Sequence, residues 1–299
     1  MSLRRAGSTQ AGLNVAVLGA NGVFGRHLTP RLVAAGAVTR CVVRRPEAAA
    51  LALACGAEVR MADIFDRKAL IAAVEGSDVC INLATSLPGP SGRGDYATND
   101  RVRTEGVPNL IAACEEAGVP RLLQQSIAMM AAAGDEWADE NTVFEPIGDD
   151  LTSKALRASL AMENAVKASG LDWAILRGAL FYGPGTGFDD AWFSRAAAGK
   201  LQMPGDGDAF VSLVHIADMA NAAIAALGRW PSRQTLIIAD DEPTRWRDLF
   251  GYIAQVAGGP PPEGGGRTGF ASFRLNNARA RETLGWSPTY RDFRVGLAR

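Results

Sequence analysis

The chain has 299 residues, of which 47% are apolar, and its 31 Lys and Arg against 32 Asp and Glu leave a formal net charge of −1. This near-neutral balance gives no electrostatic reason to expect nucleic acid or an anionic membrane as a partner. No apolar run approaches the roughly 20 residues of a membrane-spanning helix. The 4 cysteines are widely spaced, without a Cys-x-x-Cys pair or a His/Cys cluster, which argues against metal sites and disulfides. We therefore expect a cytoplasmic protein.

Strand-like apolar runs alternate with amphipathic, alanine-rich segments through the first half of the chain. The predicted strands cover residues 14–20, 38–45, 58–64, 78–85 and 120–129. The predicted helices cover 23–37, 46–57, 66–77 and 99–119, with Pro108 marking a kink or a break in the last. This alternation predicts βαβ units, and hence a doubly wound parallel sheet with helices on both faces.

The chain divides by pattern into three parts. Residues 1–12 read as a disordered tail, and 13–177 carry the regular alternation. From Gly178 the pattern becomes irregular, which predicts a smaller C-terminal lobe over 178–299, interleaved with the first domain. The acidic run between Asp135 and Asp150 reads as a solvated loop, whereas Cys41 and Cys80 lie in strand-like runs and are expected in the core.

The stretch "VAVLGANGVFGRHL" places three glycines between the first predicted strand and the first predicted helix. The position of Gly19 favours a tight turn, Gly22 would let backbone N–H groups approach a pyrophosphate, and Gly25 would let the helix pack close to the sheet. The start of that helix offers unpaired N–H donors and a partial positive charge to phosphates. The stretch therefore predicts a dinucleotide site.

The glycine spacing resembles the turn of the short-chain dehydrogenase/reductase superfamily, and "GANGVFG" looks like its extended, epimerase-like branch. "MADIFDRKAL", "INLAT", "LDWAILRGALFYGPG", "LVHIADMANAAIAAL" and "ARETLGWSP" are similar to further landmarks of that branch, in the same order. The resemblance runs from about residue 13 to 299. It implies a Rossmann-type sheet, an NAD(P) cofactor and a small-molecule substrate, and it leaves open a homodimer formed through the helices around 103–118 and 153–169.

The resemblance also implies which residues hold the cofactor. The Gly-rich turn would bind the pyrophosphate, Asp63 with Ile64 would border the adenine, and the turn after the fourth strand would line the cofactor beside Asn82. Beyond Asp63 and Ile64, the residues that these landmarks assign to the cofactor are Gly19, Asn21, Gly22, Val23, Phe24, Gly25, Leu83, Ala84 and Thr85, together with Ser126 and Lys154 near the ribose.

Two arginines end the second predicted strand, in "VVRRP". NAD-binding domains usually carry an acid there, which accepts hydrogen bonds from the ribose 2′-hydroxyl. Here Arg44 holds that place and Arg45 follows. Guanidinium groups suit a 2′-phosphate, and each hydrogen bond to a charged group contributes roughly 1.5–3 kcal/mol. We therefore expect NADP(H) to be favoured over NAD(H).

The family's chemistry resembles hydride transfer assisted by a Ser/Thr, a Tyr and a Lys, in which the lysine lowers the pKa of the tyrosine. Ser126 matches the family serine, which orients the substrate. Aligning on Lys154 places Asp150 at the tyrosine position. Aligning on Glu163 instead places Ser159 at the lysine position and Ala155 at the tyrosine position. Neither alignment supplies a tyrosine.

Three hypotheses follow from the missing phenol. An acid of the loop before the next helix, Asp150, Asp149 or Glu145, could carry the proton. Tyr182 in "FYGPG" could reach the site from the second lobe. In the third hypothesis the protein binds NADP(H) without turnover and acts as a regulatory or redox-sensing protein. The first two make it an NADP(H)-dependent oxidoreductase or an epimerase/dehydratase-like enzyme.

The substrate side departs from nucleotide-sugar enzymes of this branch. Val211 stands where such enzymes carry an arginine for the nucleotide phosphates. A smaller or more apolar carbonyl, alcohol or enone is expected instead, with Phe188, Trp192 and Phe193 as candidate lining. The resemblance implies a structural place for His215, and His27 is expected at the surface or beside the phosphates.

Overall fold

A computed structural model of the chain describes residues 10–88, 94–142, 146–267, 269 and 271–298. Its centre is a seven-stranded sheet in which all neighbouring strands are parallel, in the order β3-β2-β1-β4-β5-β7-β12. The strands are β1 (Asn14–Leu18), β2 (Val38–Val43), β3 (Glu58–Met61), β4 (Val79–Asn82), β5 (Arg121–Ile127), β7 (Asp172–Gly178) and β12 (Gln234–Ile238). The strand order reverses between β1 and β4, which opens a crevice at the carboxyl ends of these two strands.

Helices cover both faces of this sheet. Alternate residues of β1 belong to different cores, since Val15 and Val17 pack in one apolar cluster and Ala16 and Leu18 in the other. The helices are α1 (Val23–Ala34), α2 (Ala50–Ala54), α3 (Arg67–Val74), α4 (Tyr96–Arg101), α5 (Val107–Glu116), α6 (Leu151–Ala168), α7 (Phe188–Ala197), α8 (Ile216–Gly228), α9 (Trp246–Ala257), α10 (Ala278–Leu284) and α11 (Phe293–Leu297). The predicted doubly wound α/β class is confirmed.

The remaining strands are short and form two-stranded pairs. They are β6 (Trp137–Ala138), β8 (Leu180–Tyr182), β9 (Gln202–Pro204), β10 (Phe210–Val211), β11 (Leu213–His215), β13 (Thr244–Arg245), β14 (Glu263–Gly266) and β15 (Arg274–Leu275). The pairs are β6 with β15, β8 with β11, β9 with β14, and β10 with β13. Most of these strands lie after Gly178, where the sequence pattern becomes irregular.

Two segments depart from the simple helix predictions of the first half. The predicted helix at 46–57 is a short 3₁₀ turn, Pro46–Ala49, followed by the five residues of α2. The helix predicted over 99–119 begins earlier, with α4, and passes through a π-helical turn, Val102–Gly106, before α5. Pro108 lies in the first turn of α5, directly after the π-helical turn, where the helix changes type.

The described part of the predicted tail and the core cysteines can be placed directly. Residues 1–9 lie outside the described residues, whereas Gln10 is buried and donates a hydrogen bond to the carbonyl of Ile224. Cys41 and Cys80 are buried strand residues, as predicted.

The acidic run is not solvated throughout, because Glu140 accepts a hydrogen bond from the backbone N–H of Ile237. Within the described ranges no helix has both the length and the apolarity to cross a membrane.

Candidate active site

The glycine-rich turn lies at the crevice between β1 and β4. Gly19 has a positive φ of 76°, and a Cβ atom there would lie 2.6 Å from the carbonyl oxygen of Leu83. A Cβ atom at Gly25 would clash with the carbonyl oxygen of Gly19. The turn therefore lies close to both the loop after β4 and the start of α1, and only glycine allows both contacts.

The turn leaves the start of α1 open for an anion. Gly22 precedes the helix in extended conformation, and no side chain caps the first N–H groups. A Cβ atom at Gly22 would meet only the Gly19 carbonyl, at 3.2 Å, so the outer side of the turn is free space. Uncapped N–H donors at a helix start suit a pyrophosphate. The residues present thus fit the dinucleotide phosphates, with Asn21 exposed, Val23 half-buried and Phe24 buried against Phe181.

The predicted adenosine residues lie at the ends of β2 and β3. Arg44 and Arg45 are exposed directly after β2, and their side chains make no hydrogen bond or ion pair with the described residues. Asp63 follows β3, and its Oδ1 accepts a hydrogen bond from the N–H of Phe65, which fixes the turn and leaves Oδ2 without a partner among the described residues. Ile64 is buried against Gly106, where a Cβ atom would lie 2.9 Å from Ile64 Cγ2.

The loop after β4 forms the opposite wall of the crevice. Asn82 is fully buried, donates to Gln124 Oε1 at 2.9 Å and accepts from the N–H of Ala84 at 3.1 Å. The N–H of Ser86 donates to Asn99 Oδ1 at 3.0 Å, which ties the loop to α4. These hydrogen bonds hold the segment with Leu83, Ala84 and Thr85 at the crevice, in which Leu83 is buried, Ala84 half-buried and Thr85 exposed.

Ser126 belongs to a buried charged network at the end of β5. Its Oγ lies 2.7 Å from Glu163 Oε1 on α6, and Glu163 receives two further hydrogen bonds, at 2.9 and 2.8 Å, from Arg177 on β7. Lys167 also donates to Glu163, at 3.1 Å. Burial opposes ionisation of Glu163, but the hydrogen bonds and charge of Arg177 and the charge of Lys167 outweigh it, so the pKa of Glu163 is lowered.

This network decides the direction of the Ser126 hydroxyl. An ionised carboxylate accepts hydrogen bonds and cannot donate one, so the Ser126 proton points to Glu163. Toward any substrate, Ser126 then presents only oxygen lone pairs. It is therefore an acceptor, whereas polarising a carbonyl oxygen requires a donor.

Burial along α6 favours the alignment on Glu163, in which Ala155 and Ser159 take the tyrosine and lysine positions. Ser159 is fully buried and donates to the carbonyl of Ala155 at 2.7 Å, whereas Lys154 is exposed on the outer side of the helix. The expectation that Lys154 holds the ribose is therefore not favoured, since its side chain leaves from the solvent face.

The acidic proton-carrier candidates have structural roles or lie apart. Asp150 caps α6, accepting from the N–H groups of Thr152 and Ser153 and from Ser153 Oγ at 2.6 Å. The hydrogen bonds from Ser153 are the main reason why the pKa of Asp150 is lowered, which makes it a poor proton donor at neutral pH. Asp149 is exposed and pairs with Arg157, and Glu145 lies outside the described residues.

Tyr182 is held by contacts within the second lobe and not at the crevice. It is fully buried, and its hydroxyl donates to the carbonyl of Asp292 at 3.3 Å. Burial, with nearby carboxylates, raises the pKa of Tyr182 above its usual range, so it is a poor proton carrier. His215 stacks on Tyr290 and caps α8 by accepting from the N–H of Ala217, and burial lowers its pKa to about 4. Its structural place agrees with the expectation.

The second lobe meets the cofactor helix at the turn after β8. His27 of α1 is half-buried and lies 2.8 Å, through Nε2, from the carbonyl oxygen of Pro184 at an exposed contact, so it bridges the two parts near the surface. Of the aromatic residues expected to line a pocket, Trp192 and Phe193 are buried, and Trp192 packs on Trp246 and Phe250. Only Phe188 is exposed, at 43%, and stays a candidate for the substrate side.

Three residues of this region were not singled out by sequence reasoning. Arg177 lies within a segment that resembles a family landmark and Asn99 lies within a predicted helix, and only their contacts show what they hold. Arg103, on the π-helical turn, is 7% exposed and donates to the Ala155 carbonyl at 3.1 Å. An arginine on the apolar face of a predicted helix is the one signal that could have found it.

The chain is similar to a family model, to named reductases and to the solved structure of an epimerase. A family model described as NAD(P)H-binding matches residues 19–229. The 3-diazoavenalumate denitrifying reductase of a Streptomyces species is 34% identical, over 96% of this chain and 100% of its own. A quinoline-oxide ketoreductase of Stigmatella aurantiaca is 24% identical, over 81% of this chain and 72% of its own. The fold is that of the Thermus thermophilus UDP-glucose 4-epimerase complex with NAD, with a TM-score of 0.76 and 22% identity over 95% of this chain and 96% of that one.

Proposed function

Since the chain belongs to the NAD(P)H-binding family, we propose that it is an NADPH-dependent reductase that acts without a tyrosine acid. The observation that carries the proposal is the uncapped, glycine-lined start of α1 together with the unpaired Arg44 and Arg45 at the end of β2. Bound there, the cofactor would supply a hydride. Arg44 and Arg45 would hold its 2′-phosphate, and the N–H groups that follow Gly22 would hold its pyrophosphate.

The substrate that fits this site needs no hydrogen-bond donor on a carbonyl oxygen. Ser126 gives its proton to Glu163, and Ala155 stands at the tyrosine position, so neither residue can protonate or polarise such an oxygen. A ketone becomes an alkoxide when it accepts hydride and depends on that help. The arrangement of Ser126 and Ala155 therefore does not favour the ordinary carbonyl or alcohol substrate that the sequence suggests.

A diazo group avoids this requirement. When a diazo compound is reduced, one hydride and one proton are added, the carbon–nitrogen bond breaks and dinitrogen leaves. Hydride uptake at the diazo group forms no alkoxide, so the missing phenol is not needed at that step. The relative that aligns over its full length is named as a reductase of a diazo compound. We therefore assign a small aromatic diazo compound as the substrate class.

The test is NADPH oxidation by the purified chain, followed at 340 nm together with dinitrogen release. The substrates are 3-diazoavenalumate, the compound in the relative's name, and a panel of aromatic ketones. The control is Gly22→Asp, which places a carboxylate in the free space of the phosphate cradle, where no other described atom opposes it except the Gly19 carbonyl. We expect turnover with the diazo compound, none with the ketones and none in the control. Turnover confined to ketones would refute the substrate assignment.

A second function is favoured by the same residues. Among the described residues, Ala155 and Ser159 hold the tyrosine and lysine positions and Ser126 gives its proton to Glu163, as expected of a protein that binds NADP(H) without turnover and reports redox state to a partner. Such a protein would bind NADPH and NADP⁺ and consume neither, whatever acceptor is offered. Binding of NADPH, without its oxidation by diazo compounds or ketones, would select this function.

A further inference from the structure

Arg103 is a buried cation without a full partner. It is 7% exposed, and the nearest carboxylate, Asp100, lies 3.8 Å from its Nη1. Its one hydrogen bond, from Nη1 to the carbonyl of Ala155, measures 3.1 Å. Nε and Nη2 make no hydrogen bond within the described ranges. Nε and Nη2 are not among the fully enclosed atoms that lack a partner, so they keep access to solvent. A guanidinium carries five donors, and a nearly buried cation with open donors requires an explanation because a buried charge is costly unless it is paired.

The position of Arg103 supplies one. It lies on the π-helical turn Val102–Gly106, and such turns occur frequently at functional sites. The Ala155 carbonyl that it contacts also accepts the Ser159 hydroxyl at 2.7 Å. Ala155 and Ser159 hold the places where the tyrosine and the lysine are missing. The guanidinium of Arg103 therefore lies beside the turn of α6 at which the family lysine is missing.

The same segment borders the nicotinamide half of the proposed cofactor site. The pyrophosphate cradle lies between β1 and β4, and Arg44 and Asp63 place the adenosine over β2 and β3. The other half of a dinucleotide must then extend the opposite way, over β4 and β5. Asn99, one turn before Arg103, binds the loop after β4 through the N–H of Ser86. Arg103 thus belongs to the wall on the β4–β5 side.

We propose that Arg103 is a cofactor-binding residue whose free N–H groups hold oxygens of the nicotinamide-ribose half of NADP(H), in place of the missing lysine. The proposal rests on the proposed function only in that the chain binds NADP(H). It makes no use of the substrate or of turnover. The proposal assigns the two halves of NADP(H) to different residues. Arg103 would bind the nicotinamide half, and Arg44 and Arg45 would bind the adenosine half.

The experiment compares the dissociation constants of NADP⁺ and of 2′,5′-ADP, which lacks the nicotinamide half, by isothermal titration calorimetry. Arg103→Gln keeps a donor for the Ala155 carbonyl and removes the charge, whereas Arg103→Lys keeps the charge. The matched control is Arg101→Met, which removes an exposed arginine from the same helical segment. We expect Arg103→Gln to weaken NADP⁺ at least about tenfold and leave 2′,5′-ADP within about twofold. Arg103→Lys should lose less, and Arg101→Met should change neither constant.

Three outcomes overturn the proposal or its premise. Unchanged NADP⁺ binding in Arg103→Gln shows that the residue does not reach the cofactor. A parallel loss of both ligands shows a structural role, and if Arg103→Gln does not fold, Arg103→Lys must still weaken NADP⁺ relative to 2′,5′-ADP for the proposal to stand. If the unmodified chain binds neither ligand, the proposed function itself fails, and this result is distinct from the first two.

Discussion

Arg44 and Arg45 have exposed side chains at the end of β2 with no ionic partner among the described residues. A 2′-phosphate would give them charge-assisted hydrogen bonds, each contributing roughly 1.5–3 kcal/mol. We predict that Arg44→Ala or Arg45→Ala raises the dissociation constant of NADPH at least about tenfold and leaves that of NADH nearly unchanged. Fluorescence titration of each variant with both cofactors measures the ratio.

The matched control for this prediction is Arg60→Ala. Arg60 is an exposed arginine of the neighbouring strand β3 that pairs with Glu58, so its removal changes the net charge equally without touching the end of β2. It should leave the NADPH preference intact. Equal weakening of NADPH and NADH in the Arg44 or Arg45 variant would contradict the assignment, as would a chain that prefers NADH from the outset.

At this scale the sequence predicts residue types better than their contacts. Ser126, Glu163 and the glycines can be recognised from their neighbours in the chain. The direction of the Ser126 proton cannot, because it depends on Arg177 ionising Glu163 across two strands and a helix. The roles of Asp150 and Tyr182 were open for the same reason. The sequence around a carboxylate or a phenol does not show which backbone group is hydrogen-bonded to it.

The helix α6 carries the wall of the candidate site, and Asp150 fixes where it begins. Its Oδ1 accepts from the N–H groups of Thr152 and Ser153, at 2.9 and 3.1 Å. Because Asn is also a good N-cap and Ala is not, we predict that Asp150→Ala lowers the unfolding temperature by a few degrees, whereas Asp150→Asn changes it little. Thermal unfolding by circular dichroism measures both.

The pair of variants also tests the role of Asp150 as proton carrier. Its lowered pKa and its full set of cap hydrogen bonds predict that any turnover measured for the unmodified chain persists in Asp150→Asn. Loss of turnover in Asp150→Asn, with NADPH binding and unfolding temperature retained, would show that the carboxylate takes part in proton transfer and that the cap is not its main role.

Among the elements, periodicity predicts the strands and most helices of the sheet well. The strands of the first half pair in parallel, as expected, because their apolar runs can be buried only between two helical layers. The π-helical turn at Val102–Gly106 escapes prediction, because only one of its five residues carries an apolar side chain and so the turn shows no period of its own. The short pairs of the second lobe escape it as well, because two or three residues are too few to show a period.

At the scale of the whole molecule, a buried acid, Asp240, lies between the end of β12 and the segment before α11. Asp240 is 1% exposed, and neither carboxylate oxygen has a hydrogen-bond partner within the described chain. Burial, reinforced by the charges of Asp292, Asp241 and Glu242, raises the pKa of Asp240 well above its usual value. Helix α11 packs close by, since a Cβ atom at Gly296 would lie 2.5 Å from the Tyr182 hydroxyl.

This buried acid predicts how the stability of the fold depends on pH. The pKa of Asp240 is higher in the folded chain than in the unfolded chain, where an Asp ionises above about 3.9, so folding favours the protonated form. Its contribution is therefore complete below that value and is lost as the pH rises toward the raised folded pKa, at about 1.4 kcal/mol per pH unit. Asp240→Asn cannot ionise, so its unfolding free energy should exceed that of the unmodified chain at pH 8, by more than at pH 5. Urea unfolding at both pH values, with the exposed Asp206→Asn as the control, measures this difference, and a gap independent of pH would mean that Asp240 is already ionised in the fold.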